Sequence, residues 1–155
     1  MNRGKKKKIL IFIISYKASY RVKDVFKKIP FEKLKSYKTY TLISDDKSGD
    51  DTFEYIKKIK KKNKDVFINL NKKNHGYGKH IKKCLNFALK KKFDYAVMIH
   101  GDGQFNPKYI PLLLKILIKK NISATTGSRI LNGISEVKKG GMPFYKMIGN
   151  ILLTK

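Results

Sequence analysis

Cysteine, arginine and acidic residues are all scarce in this chain, and each scarcity removes a class of explanation. The one cysteine, Cys84, has no partner for an internal disulfide, so the fold does not depend on an oxidising compartment and a cytoplasmic setting is expected. Only Arg3, Arg21 and Arg129 are arginines, although lysine and arginine together number 37 against 11 aspartates and glutamates, for a formal net charge of +26. Nucleic-acid readers draw on arginine for bidentate contacts to bases and phosphates. A positive field built from lysine and spread over nearly every polar segment therefore predicts no specific nucleic-acid partner. It suits polyanions in general, including nucleotide diphosphates, anionic lipid head groups and RNA, without choosing among them, and it is equally what a solvated lysine-rich surface looks like.

Long apolar runs are also missing. The basic cluster Lys5 to Lys8 precedes the run Ile9 to Ile14, but Ser15, Tyr16 and Lys17 end that run without a small-residue cleavage site. No stretch approaches the ~20 apolar residues of a membrane-spanning helix, so the protein is expected to be soluble or peripheral to a membrane. With 155 residues and 41% hydrophobic content, the chain is long enough for one domain with one continuous core. It shows no internal repeat and no low-complexity linker.

What the sequence does contain is an alternation of short apolar runs with segments of helical period, the pattern of an α/β, doubly wound, mostly parallel sheet. Strands are predicted at Ile9 to Ser15, Thr39 to Ser44, Val66 to Leu70, Tyr95 to Ile99 and Ser123 to Thr126. Helical spacing joins Val22, Val25, Phe26 and Ile29 before Pro30, and Phe53, Ile56 and Ile59 before a lysine-rich stretch. Tyr77, Ile81, Cys84, Leu85, Ala88 and Leu89 form the clearest apolar stripe and are predicted core. Asn106-Pro107 opens another helix, and Phe144 to Leu153 has the character of a last one.

In such a sheet, ligands sit beyond the carboxyl ends of the strands where the strand order reverses. Polar clusters stand there: Ser15-Tyr16, Asp45-Asp46-Lys47-Ser48, Asn74-His75-Gly76, His100-Gly101-Asp102-Gly103-Gln104 and Gly127-Ser128-Arg129. Asp102 and Gln104 offer hard oxygen ligands of the kind that magnesium and manganese take, although an Asp-Gly turn alone accounts for the same residues. One carboxylate of the Asp45-Asp46 pair could accept a hydrogen bond from the ring nitrogen of uracil or guanine, while Asp50 to Thr52 have the makings of a helix cap. Arg129 could set a guanidinium beside a diphosphate or simply be a surface arginine. His75 and His80 read as surface or supporting residues.

The strings ILIFIISY (Ile9 to Tyr16), LISDDKSGDDT (Leu42 to Thr52), NHGYG (Asn74 to Gly78), YAVMIHGDGQFNP (Tyr95 to Pro107), TGSR (Thr126 to Arg129) and GGMPFYKMIGNILLT (Gly140 to Thr154) occur in an order and spacing that resembles the family 2 glycosyltransferases of the Rossmann-like GT-A fold. The bacterial branch of polyprenyl-phosphate mannose or glucose synthases is the most similar. The resemblance implies transfer of a hexose, with inversion, from a GDP- or UDP-sugar to a polyprenyl phosphate or a glycan. Peripheral contact with an anionic membrane at the inner face of the cell would then be expected. It implies that Ser15, Tyr16, Asp45, Asp46, Ser48 and Gly76 line the donor nucleotide, with Asp45 at the base. Asp102 would match the last aspartate of the family's D-x-D element, Gln104 the glutamine after it, and Arg129 the arginine near the donor phosphates. His100 stands where the first aspartate of that element is usual, so the implied divalent cation would be held by Asp102, Gln104 and His100; imidazole suits Mn2+ better than Mg2+. Relatives of this kind continue past Thr154, so the acceptor part is expected to be incomplete, and a donor-binding fragment without turnover is the alternative.

Overall fold

The computed structural model describes residues 6–127 together with Tyr145 and Gly149. The chain divides into two compact units, 1–112 and 113–155, and the whole sheet belongs to the first. Four strands, β1 (Lys8–Ser15), β2 (Lys38–Asp45), β3 (Val66–Leu70) and β4 (Tyr95–His100), alternate with helices α1 (Arg21–Lys27), α2 (Thr52–Lys62) and α3 (Tyr77–Lys90). α4 (Ile110–Lys119) follows a short 3-10 turn, Pro107–Tyr109, in which Asn106 accepts a bond from the Lys108 amide.

All strand pairs are parallel, in the order β3-β2-β1-β4. The chain walks outward from β1 to β3 and then returns across β1 to add β4. Right-handed crossovers therefore put α1 and α2 on one face and α3 on the other. β1 sits in the middle, covered on both faces, which is why it reads as an unbroken apolar run rather than an alternating one. Ile9 to Ile14 are all at most 7% exposed. At about 1.5–3 kcal/mol for each fully buried aliphatic or aromatic side chain, this strand contributes on the order of 10 kcal/mol of gross apolar burial.

Strand parity sorts these side chains. Leu10, Phe12 and Ile14 join Leu42, Cys84 and Ala88 in one core cluster beneath α3, with Tyr40, Phe67, Phe87 and Phe93 packed around it. Ile9, Ile11 and Ile13 face the other way, toward the side where Val22 and Val25 of α1 and Ile56 and Ile59 of α2 are buried.

Two sequence expectations change. Ser123 to Thr126 is not a strand, and four strands are present among the described residues. A short β-branched segment acquires strand geometry only with a hydrogen-bonded neighbour, and none pairs with it. The α3 stripe is also rotated: Cys84 and Ala88 are buried and Ile81 partly so, but Tyr77, Leu85 and Leu89 are exposed and His80 is buried in their place. The cause is the polar end of the sheet, where Ser44 Oγ lies 2.7 Å from His80 Nε2 and draws the imidazole inside. Arg129 and the segment Phe144 to Leu153, apart from Tyr145 and Gly149, lie outside the described residues.

Candidate functional site

The carboxyl ends of the strands open onto a cavity of about 390 Å³ at the point where β4 joins the sheet on the far side of β1. Ile14, Ser15 and Tyr16 line it from the end of β1, Asp46 from β2, and His100, Gly101 and Asp102 from β4. Asn74, Gly76, Tyr77 and His80 close it from the loop after β3 and the first turns of α3. Six of the residues singled out in the sequence thus meet here: Ser15, Tyr16, Asp46, Gly76, His100 and Asp102.

Asp45, Ser48 and Gln104 do not line the cavity. For Asp45 the reason is parity. Ile14 is in register with Ser44 and His100, and Ser15 with Asp45. Successive residues of a strand point to opposite faces, so Asp46 turns to the α3 face with Ser44, and Asp45 turns to the face of α1 and α2. There Asp45, 1% exposed, accepts hydrogen bonds from the hydroxyl and the amide of Ser48. Ser48 Oγ accepts in turn from the Lys17 amide at 2.9 Å, and Thr52 Oγ1 accepts from the amides of Ala18 and Ser19 at 3.0 and 2.8 Å. These bonds fasten the β1–α1 loop to the β2–α2 loop, and both loops need fastening. Lys17, Ser19 and Lys47 have φ of 50°, 45° and 61°, a left-handed conformation that non-glycine residues hold only where their surroundings impose it. Asp50 Oδ1 accepts from the Thr52 amide at the start of α2.

Asp46 has a different set of partners. Its Oδ1 accepts from Asn71 Nδ2 at 2.7 Å, and the His75 amide donates to both carboxylate oxygens at 3.1 Å. Asn71 Oδ1 takes bonds from Lys83 Nζ and Asn69 Nδ2, and Asn69 Nδ2 also donates to Ser44 Oγ. A continuous polar network therefore runs beneath the cavity from Asp46 to His80. Burial pushes the His80 imidazole below its ordinary pKa, against the opposing pull of Asp46 and Asp45, so the ring is neutral near pH 7. His75 is shifted the same way, by desolvation and by the ammonium groups of Lys83 and Lys79. Cys84, at the back of the network, is pushed up to about 11 by burial.

At the β4 end, Asp102 Oδ1 accepts from the Gln104 amide in a tight turn completed by Gly103 at φ 82°. The contribution of Gln104 seen here is that of its backbone. His100 Nε2 lies 3.2 Å from the Tyr77 hydroxyl, and its ring packs between Tyr77 and Phe105. Ser15 sits between the two ends on the central strand. Gly101 leaves it room, since a Cβ there would press on Ser15 Oγ and come within 3.2 Å of the Ile14 carbonyl oxygen. Ser15 Oγ is buried, on the face it shares with Asp45, and has no hydrogen-bond partner among the described residues, an uncommon state for an interior hydroxyl.

Among the described residues no three His, Cys, Asp or Glu side chains gather around one point. Asp102 and His100 both line the cavity wall and offer one carboxylate and one imidazole, although His100 Nε2 already meets the Tyr77 hydroxyl. That set fits Mn2+ if a bound diphosphate and water complete the shell. No helix among the described residues is long and apolar enough to cross a membrane.

Asn74 stood in one of the polar clusters expected at the strand ends, whereas Tyr77 was expected in the core and His80 as a surface or supporting residue; both line the cavity instead, His80 because its burial depends on the rotation of α3.

The chain is similar to known proteins in sequence and in fold. The chain is 34% identical over 119 residues to an uncharacterized protein of Methanocaldococcus jannaschii, covering 76% of this chain and 48% of that protein. Among solved structures it resembles the mannosyltransferase PcManGT from Pyrobaculum calidifontis, in complex with GDP-Man and Mn2+, with a TM-score of 0.60 at 12% identity over 74% of this chain and 33% of that one. It also resembles S. aureus TarS in complex with UDP-GlcNAc, with a TM-score of 0.54 at 16% identity over 79% of this chain and 37% of that one. The chain thus spans about half the length of its sequence relative and about a third of the matched structures, whose likeness shows the GT-A fold. The model of glycosyl transferase family 2 matches residues 11–153, nearly the full length, and the chain belongs to that family.

Proposed function

We propose that the cavity is the donor site of a glycosyltransferase that moves a hexose from a GDP- or UDP-sugar to a polyprenyl phosphate or a glycan, with inversion. The observation that carries this reading is the polarity of the cavity: the Asp46 carboxylate at one end and Asp102 with His100 at the other, with the end of β1 between them. A nucleoside diphosphate has the complementary layout, with N–H groups on its base and an anionic diphosphate several bonds away. That PcManGT carries GDP-Man and Mn2+, and TarS UDP-GlcNAc, supports the same assignment.

In this reading Asp46 accepts the ring N–H of the base, and the Asn71 and His75 donors hold its carboxylate in place. Ser15 and Tyr16 form the wall at the end of β1 along which the donor lies. Asp102 and His100 hold the divalent cation, which when bound neutralises charge developing on the leaving diphosphate. An acceptor oxygen attacks the anomeric carbon on the face opposite the diphosphate, and the bond from that carbon to the phosphate oxygen breaks, its electron pair leaving with the nucleotide. A phosphate monoester acceptor has a second pKa near ~6 and is already nucleophilic at neutral pH, so a general base is dispensable for it. Arg129 is assigned to the donor phosphates by its place in the TGSR string, and the lysine-rich surface to contact with an anionic membrane.

The test is equilibrium binding of GDP and UDP with and without Mn2+. Asp46→Asn is expected to weaken binding about tenfold whether or not the metal is present, and Asp102→Asn to remove the gain that Mn2+ gives. If both variants bind as the wild type does, the cavity is not the donor site. Release of free nucleotide from a labelled sugar donor then separates a transferase from a domain that only binds.

A further inference from the structure

We propose that His80 reads the carbonyl group next to the ring N–H of the donor's base, so that Asp46 and His80 together select uracil or guanine over adenine and cytosine. This rests on the cavity being the donor site.

His80 is 3% exposed, yet it lines the cavity from the second turn of α3. Its Nε2 is committed to Ser44 Oγ at 2.7 Å, and Ser44 is held in turn by Asn69 Nδ2 at 2.9 Å. The imidazole is thus oriented by bonds behind it, and Nδ1 is left without a protein partner among the described residues. That nitrogen is not one of the fully buried unpartnered side-chain atoms; it is open where His80 lines the cavity, and a ligand there can meet it.

The chemistry of the neighbouring residue says what that is. An ionised carboxylate only accepts hydrogen bonds, so Asp46 can take an N–H of a base but can do nothing for a carbonyl. Uracil presents its N3–H beside two carbonyls, and guanine its N1–H beside O6. Each therefore needs an acceptor and a donor side by side. When the Ser44 hydroxyl donates to Nε2, the ring proton of the neutral imidazole resides on Nδ1, and His80 becomes the donor that completes the pair. Adenine and cytosine carry an unprotonated ring nitrogen beside an amino group on this edge. That nitrogen would face the carboxylate, lone pair against lone pair.

Isothermal titration of the full chain with UDP, GDP, ADP and CDP at fixed Mn2+ tests the proposal. The wild type is expected to bind UDP, GDP or both at least tenfold more tightly than ADP and CDP. His80→Ala should lose roughly tenfold for the preferred nucleotide with little change for ADP and CDP, and His80→Asn, whose amide keeps a donor, should recover most of that loss. Thermal melts of both variants establish that they are folded; His80→Asn keeps a polar side chain for Ser44 and serves if the alanine variant does not fold, a loss confined to ADP and CDP then refuting the proposal. Selective binding by the wild type that survives in folded His80→Ala, or an equal loss for all four nucleotides, overturns the role of His80 alone. Absence of binding of any diphosphate by the wild type overturns the donor-site reading, and this proposal with it.

Discussion

Replacing Asp45 by asparagine separates the two adjacent aspartates by function. Asp45 is buried, and its carboxylate accepts from the hydroxyl and, at 3.3 Å, the amide of Ser48, which also accepts from the amide of Lys17 at φ 50°. The substitution keeps one acceptor oxygen but sets an amino group where the other oxygen was, so one charge-assisted bond is lost and a buried donor is left unmatched. A bond of that kind contributes about 1.5–3 kcal/mol. The expected loss is therefore about 2 kcal/mol out of a total stability on the order of 5–15 kcal/mol. In urea denaturation, with m of about 1–3 kcal/mol/M, the midpoint should fall by roughly 1 M at unchanged m. Under conditions where the variant stays folded, GDP or UDP affinity should change by less than about twofold, because the group faces α1 and α2 rather than the cavity. A variant as stable as the wild type that no longer binds nucleotide would refute the parity argument, since the carboxylate would then be a ligand group rather than a loop fastener.

Three other outcomes are expected. Gly101→Ala should weaken nucleotide binding and cost about 1–3 kcal/mol in a thermal melt, because the new methyl presses on Ser15 Oγ and approaches the Ile14 carbonyl oxygen to 3.2 Å at the cavity wall; an unchanged affinity would show that this wall is not part of the nucleotide site. Cys84, with its thiol pushed from 9.0 up to about 11 by burial, should react with a thiol reagent at least about a hundredfold more slowly in the folded protein than after denaturation, measured at pH 8 by colorimetric titration. The carboxyl of Asp94 is held below its ordinary pKa by the Lys8 amide at 2.7 Å, against slight desolvation and with help from Lys7. Its contribution is present above the ordinary aspartate range and lost as the pH falls through the lowered value, so denaturation curves of the wild type and Asp94→Asn should converge in acid.

The sheet was legible from the chain because burial on both faces leaves a plain mark. Only a strand covered on both sides can read Ile-Leu-Ile-Phe-Ile-Ile without interruption, and the polar clusters had to lie at the carboxyl ends of such strands. β3 has the span that the sequence implied, because its pattern is local, whereas the segment opened by Asn106-Pro107 starts as a 3-10 turn and becomes α4 only at Ile110. The segment Ser123 to Thr126 shows the limit, since a strand exists only by virtue of its neighbour.

For the site, the sequence by itself determined which residues stand at the strand ends: Ser15, Asp45, Asp46, His100 and Asp102 are fixed there by strand length alone. Tertiary structure decided the facing. Asp45 and Asp46 are equivalent as text, and only the register that aligns Ser15 with Asp45 and Ile14 with Ser44 turns one carboxylate inward to a pair of strained loops and the other toward the cavity. His80 was decided wholly by packing. α3 buries the imidazole at the expense of Leu85 and Leu89 because a serine hydroxyl lies 2.7 Å from it at the sheet's polar end, and the Ser44–His80 contact spans 36 residues of chain. Hydrophobic period is a property of neighbours in sequence, whereas a buried hydrogen bond depends on elements that meet only once the chain has folded.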